Sequence, residues 1–88
     1  MEDITIKIKY LAALRDKTGK KEEHVDFPQG STLSNVAEWL HRTYGLSVPN
    51  QQIMAVLNGK GWSQYSSGIE TRIKEGDSIS LFPPISGG

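Results

Sequence analysis

The sequence contains no cysteine. That excludes a disulfide framework, a thiolate nucleophile and any cysteine-ligated zinc site. Histidine is almost as scarce, since His24 and His41 are the only two and lie far apart, so no metal site is expected. Net charge of one sign is missing too. Ten Lys and Arg balance ten Asp and Glu, whereas a nucleic-acid binder ordinarily carries a basic surface that displaces the counterions of phosphate. Long apolar runs are absent: Tyr10–Leu14 and Ile53–Leu57 are the longest, far too short to span a bilayer. The acidic opening Met1-Glu2-Asp3 leads into no apolar signal segment. These absences predict a cytoplasmic protein that engages neither nucleic acid nor membrane.

What is present suits a small globule. The chain has 88 residues, of which 36% are hydrophobic, enough for one domain with one core. Ile4, Ile6, Ile8 and Tyr10 alternate with Thr5, Lys7 and Lys9, the period of a strand with one buried face. Leu11–Asp16 then changes to helix-favouring residues, and Thr18-Gly19 stops them, predicting one or two helical turns. Lys20-Lys21-Glu22-Glu23 reads as an ordinary solvated turn. Beyond it Glu23, Val25 and Phe27 share one face of a second strand, and Glu22, His24 and Asp26 share the other.

The clearest helix follows Ser31-Thr32, whose hydroxyls can cap a first turn. Leu33, Val36, Ala37, Leu40 and Tyr44 form one apolar stripe, and Gly45 supplies the terminating residue. Trp39, at the edge of the stripe, is read as a cap on the core. Ile53–Leu57 reads as a buried strand, and Asn58-Gly59 as a turn that Gly61 makes longer than two residues. Trp62–Gly68 is poorly patterned and is read as loop with at most a short edge strand. Ile73 is expected to anchor the core ahead of a tight turn at Lys74–Asp77. On the last strand Ile79 and Leu81 point inward and Ser78, Ser80 and Phe82 point outward. One helix that is apolar on one side must cover a sheet. Parallel first and last strands would need a helix-bearing crossover, which this chain supplies. The predicted fold class is therefore α+β, a ubiquitin-like β-grasp with a mixed sheet packed on one main helix.

The ending, Pro83-Pro84-Ile85-Ser86-Gly87-Gly88, is unlike the rest. Proline removes a ladder donor and favours an extended exit from the strand. From Pro84 onward the chain can reach roughly 15–18 Å, enough to enter a cleft on another protein. A glycine pair passes through a channel too narrow for a Cβ. The expected organisation is a β-grasp domain over 1–83 and a carrier tail over 84–88.

This ending, from Lys74 through the strand to Phe82-Pro83-Pro84-Ile85-Ser86-Gly87-Gly88, resembles that of the MoaD/ThiS family of ubiquitin-like sulfur carriers. It is most similar to MoaD, the small subunit of molybdopterin synthase. Weaker similarity extends over Leu11-Ala12-Ala13-Leu14-Arg15, Ser31-Thr32-Leu33 and Val56-Leu57-Asn58-Gly59. Gly59–Gly68 is longer and richer in Gly and Ser than in a typical MoaD, and is similar to carriers serving other pathways.

The resemblance implies that Gly88, preceded by Gly87, is adenylated by an E1-like enzyme of the MoeB/ThiF type using ATP. It is then converted to a thiocarboxylate that donates sulfur within a molybdopterin synthase whose large subunit is MoaE-like. The chain would bind no cofactor itself and would not be an enzyme on its own. Phe82, out of phase with the core residues of its strand, is the leading candidate for partner contact, with Ile85, Leu11 and Arg15. Trp62 is a further candidate, as a loop anchor or as cover for the sheet. Alternative readings are a carrier for cysteine, thiamine or tRNA thiolation, a ubiquitin-like protein modifier, and an interaction module with an inert tail.

Overall fold

A computed structural model describes residues 2–84. The first strand, β1 (Asp3–Tyr10), runs antiparallel to β2 (Glu22–Pro28), with Ile6 opposite Val25 and Ile4 opposite Phe27. The last, β5 (Ser78–Phe82), lies parallel to β1 on its other side, Ile8 beside Ile79 and Tyr10 beside Leu81. Next comes β3 (Met54–Leu57), antiparallel to β5, and then the two-residue β4 (Lys60–Gly61). The sheet order is β2-β1-β5-β3-β4. The predicted β-grasp with parallel first and last strands is the fold observed.

One helix, α2 (Leu33–Tyr44), supplies the cover. Its first turn is fixed by Asn35, whose Oδ1 accepts the Thr32 N–H at 2.9 Å, and Gly45 ends it with φ 71°. Leu33, Val36 and Leu40 are completely enclosed, as are Ile6, Ile8, Tyr10, Ile79 and Leu81 from the sheet, and all belong to a single core cluster. Burial of each such aliphatic side chain contributes about 1.5–3 kcal/mol. Ile73 is buried in the same core, and Trp39 packs at its margin with its ring 6.1 Å from that of Phe27.

Three local expectations are corrected. The short helix α1 is Leu14–Thr18, later than the composition suggests, because Leu11–Ala13 form a turn in which Ala12 takes φ 54°. The hairpin at Asn58-Gly59 is a two-residue turn, with Leu57 opposite Lys60 and both turn residues at positive φ (52° and 85°). That is the geometry whose twist matches the flanking strands, and Gly61 belongs to β4. The turn read at Lys20–Glu23 is shorter than expected, because Glu22 and Glu23 belong to β2 as the two-face pattern of Glu22–Phe27 predicts, and Glu23 is half-buried. Among the described residues no helix is long and apolar enough to cross a membrane.

Candidate functional site

The site begins where β5 ends. Residues of β5 alternate between the enclosed Ile79 and Leu81 and the half-buried Ser78, Ser80 and Phe82. Phe82 therefore stands on the face away from α2, as its phase predicts. Directly across the antiparallel ladder is Met54, 45% exposed. On the other side the parallel ladder continues one step past β1, where the Leu11 N–H donates to the Leu81 carbonyl at 3.0 Å. Leu11, 36% exposed, is thus placed beside Phe82. Leu11, Phe82 and Met54 form an apolar row across three neighbouring strands. The next row in the same register is Lys9, Ser80 and the half-buried Val56, and the one beyond begins with Lys7 and Ser78, so the row that is apolar throughout is the one at the end from which Pro83-Pro84 departs.

The candidate residues separate into three groups. Phe82 and Leu11 come together. Arg15 lies just behind them on α1, exposed, with its Nε 3.4 Å from the Tyr10 carbonyl, a cation at the rim of the row. Trp62 is not available to a partner. It is 2% exposed and part of the core, because two 3-10 turns, Trp62–Gln64 and Gly68–Glu70, fold the Gly-rich segment back over it. Tyr65 pins that segment by donating its hydroxyl to the Leu57 carbonyl at 2.6 Å. Ile85, Gly87 and Gly88 lie outside the described residues.

On the helix side, the same end of β1 is held by a polar knot. The Tyr10 hydroxyl donates to Glu23 Oε2 at 2.5 Å and the Tyr44 hydroxyl to the same oxygen at 2.6 Å, while Lys20 Nζ reaches Oε1 at 3.0 Å. Burial works against the Glu23 carboxylate. The hydrogen bonds from Tyr10, Tyr44 and Lys20 outweigh it and hold the pKa below the usual carboxylate range. Burial and the adjacent carboxylate push the Tyr10 phenol far above its ordinary value. The knot ties β1, β2 and α2 together next to the strand ends from which Leu11 projects. Sequence reasoning singles out neither Glu23 nor Met54. Met54 is hidden in an apolar run that reads as wholly buried, yet only one face of β3 is covered, which leaves Met54 exposed and Val56 half-buried. Glu23 shares the inward phase of Val25 and Phe27, and two inward tyrosines are the signal for its partners.

Among the described residues no group of three His, Asp or Glu side chains is placed to hold a metal ion. What the geometry presents is an apolar row beside the Pro83-Pro84 exit from β5. A family model described as the ThiS family matches residues 8–88. The chain belongs to the ThiS family. It is accordingly a small sulfur-carrier protein of the ThiS/MoaD group, the family its ending resembles. It is similar to a molybdopterin synthase sulfur carrier subunit of Drosophila yakuba, with 28% identity over 97% of this chain and 92% of that one. Among the solved structures that share the fold are the following two. A proposed molybdopterin converting factor, subunit 1, from Pyrococcus furiosus superposes with TM-score 0.77 at 21% identity over 93% of this chain and 99% of the other. The small archaeal modifier protein 1 of Methanosarcina acetivorans gives 0.75 at 24% identity over all of both chains. This ThiS-family chain therefore has a ubiquitin-like scaffold.

Proposed function

We propose that this ThiS-family protein carries sulfur as a thiocarboxylate on Gly88 and delivers it during molybdopterin synthesis, as the small subunit of a molybdopterin synthase. The observation that carries the reading is the apolar row of Leu11, Phe82 and Met54. Leu11 and Met54 are exposed and Phe82 between them is half-buried, on a sheet face that is otherwise mostly polar, at the strand end that leads through Pro83-Pro84 to the glycines. Folding gains little from that row, and a docking partner that must receive the tail gains a great deal. The 28% identity to a molybdopterin synthase sulfur carrier subunit along nearly its whole length supports the choice of pathway.

The chemistry follows from the terminus. A free α-carboxylate has a pKa of about 3.3–3.7 and at neutral pH is an anion that resists nucleophilic attack. An E1-like enzyme makes it reactive by joining the Gly88 carboxylate to AMP from ATP, with release of pyrophosphate. A sulfur donor then attacks the carbonyl, AMP leaves, and the thiocarboxylate remains. This chain contributes reach, a terminal residue without a side chain, and the surface on which activating enzyme and large subunit dock in turn. Because it has no cysteine, the terminus is the place where sulfur can ride.

The test is incubation with an E1-like enzyme, ATP and a sulfur donor, followed by intact-protein mass spectrometry. The mass should rise by one sulfur-for-oxygen exchange, mapped by fragmentation to Gly88. Mixing the loaded protein with a molybdopterin synthase large subunit and its pterin substrate should then return the original mass. Loading without return would assign the sulfur to another acceptor, and high-mass conjugates to lysines would assign the chain to protein modification instead.

A further inference from the structure

The opposite edge of the sheet carries a second feature that sulfur transfer does not use. β2 is an edge strand, separated from β5 by β1, so it lies about 10 Å from the strand that carries the tail. The register with β1 is bracketed by the Tyr10 N–H donating to the Lys21 carbonyl (2.8 Å) and the Gln29 N–H donating to the Glu2 carbonyl (3.2 Å). Hydrogen-bonded pairs alternate along an antiparallel ladder, so Glu23, Val25 and Phe27 bond to β1. The N–H and C=O groups of Glu22, His24 and Asp26 must then point away from the sheet. No described residue bonds to them. Three donors and three acceptors lie open along a stretch of about 14 Å. Pro28, which would blunt the edge, stands beyond this stretch, and among the described residues neither a bulge nor a covering element protects it.

Beside this edge runs a groove of about 330 Å³ between β2 and α2, with Phe27 and Trp39 in its wall and Asn35, Glu38 and Arg42 along its helix side. Charge differs on the two sides of this edge. In the groove Glu38 sits with Arg42 3.5 Å away, while Asp3 and Asp26 take the outward phase of Thr5 and carry their charge on the open sheet face. The Asp26 carboxylate accepts the Thr5 hydroxyl at 2.6 Å, and no cation pairs with it among the described residues. An added strand would set alternate side chains into the groove and onto the open sheet face. Those entering the groove would meet aromatic rings, and those on the sheet face would meet Asp26.

We propose that the outer edge of β2 and the groove beside it form a docking site for an extended segment of another protein, alternating apolar and basic residues, which adds a sixth strand to the sheet. The site is independent of Gly88, so the carrier could be held by one protein through β2 while its tail is engaged elsewhere.

The probe is a short synthetic peptide alternating arginine and valine, titrated into the isotopically labelled full chain. Amide exchange should slow at Glu22, His24 and Asp26, with Met54 and Phe82 unaffected, and deleting Gly88 should leave binding unchanged. His24→Pro removes one outward donor without touching the ladder to β1, a position where an edge strand tolerates proline. It should weaken peptide binding at least tenfold, whereas His24→Ala, which keeps the N–H, should bind as wild type. Replacing the peptide's arginines by glutamates should also cost at least tenfold. Equal binding by His24→Pro, equal binding of the glutamate peptide, or protection at Met54 and Phe82 instead would overturn the proposal. So would a self-association that His24→Pro abolishes, since the occupant would then be a second copy of this chain. If His24→Pro does not fold, the exchange pattern of the wild type decides.

Discussion

On the helix-facing side of the sheet, Ile6, Ile8, Tyr10, Ile79 and Leu81 are sealed from solvent, while on the other side the same strands present Thr5, Lys7, Lys9, Ser78 and Ser80. The alternation is that of an antiparallel-type sheet covered once, and it fails most fully in the row of Leu11, Phe82 and Met54, with Val56 next to it on β3. Polar side chains would have met every demand of folding there. The contrast separates two kinds of apolar residue: those whose burial holds the chain together, and those left open to water, which on the function proposed a partner covers. The following substitutions test that separation, beginning with the one expected to cost most.

Ile8→Ala, on the sealed face, should cost about 2–5 kcal/mol of stability, the range for removing an aliphatic side chain from a packed core, as read by urea denaturation. Loss of less than about 1 kcal/mol would show that the sealed face is not the main store of stability. Phe82→Ala should divide the other way. Stability should fall by no more than about 1 kcal/mol, the scale of one cross-strand pair. Affinity for a molybdopterin synthase large subunit or an activating enzyme should weaken by about 2 kcal/mol or more, as for a central aromatic anchor. A collapse of stability with unchanged affinity of the folded fraction would place Phe82 in the core and erase the contrast.

Glu23→Gln probes the knot behind the row and should cost about 1–2 kcal/mol near neutral pH. Because the folded-state pKa of Glu23 is held below its unfolded value of 4.5, the carboxylate's contribution is present above that value and is lost as pH falls through the folded-state pKa. The stability gap between wild type and Glu23→Gln should therefore be widest near neutrality and close in acid. A gap independent of pH would mean that Glu23 acts through shape and not charge.

Much of the fold is legible in the sequence. Period-two alternation sets the inward and outward faces of β1 and β5, and the stripe on α2 requires a sheet beneath it, which together lead to the β-grasp. Phe82 stands out because a strand's phase is a strict period of two. Met54 does not, because a four-residue strand with apolar side chains on both faces looks the same whether one face is covered or two. Pattern alone leaves Trp62 open between loop anchor and cover, since its burial depends on 3-10 turns that carry no periodic signal. Glu23 is obscured by its charged neighbours, although its partners come from three separate elements: Tyr10 on β1, Tyr44 on α2 and Lys20 ahead of β2. The open edge of β2 becomes visible only when the sheet order places that strand outermost.

On the function proposed, the molecule divides into a head that folds and a terminus that reacts, and removal of Gly88 tests that division most directly. Shortening the chain by one residue withdraws the terminal carbonyl by about 3.3–3.6 Å, far more than reactive alignment tolerates, and takes no buried side chain from the core. Thermal melting and sulfur loading by the activating enzyme, measured on the same preparation, should show an unchanged melting temperature and no gain of sulfur. A shortened chain that loads and delivers sulfur as the full chain does would contradict the assignment of Gly88 as the carrier.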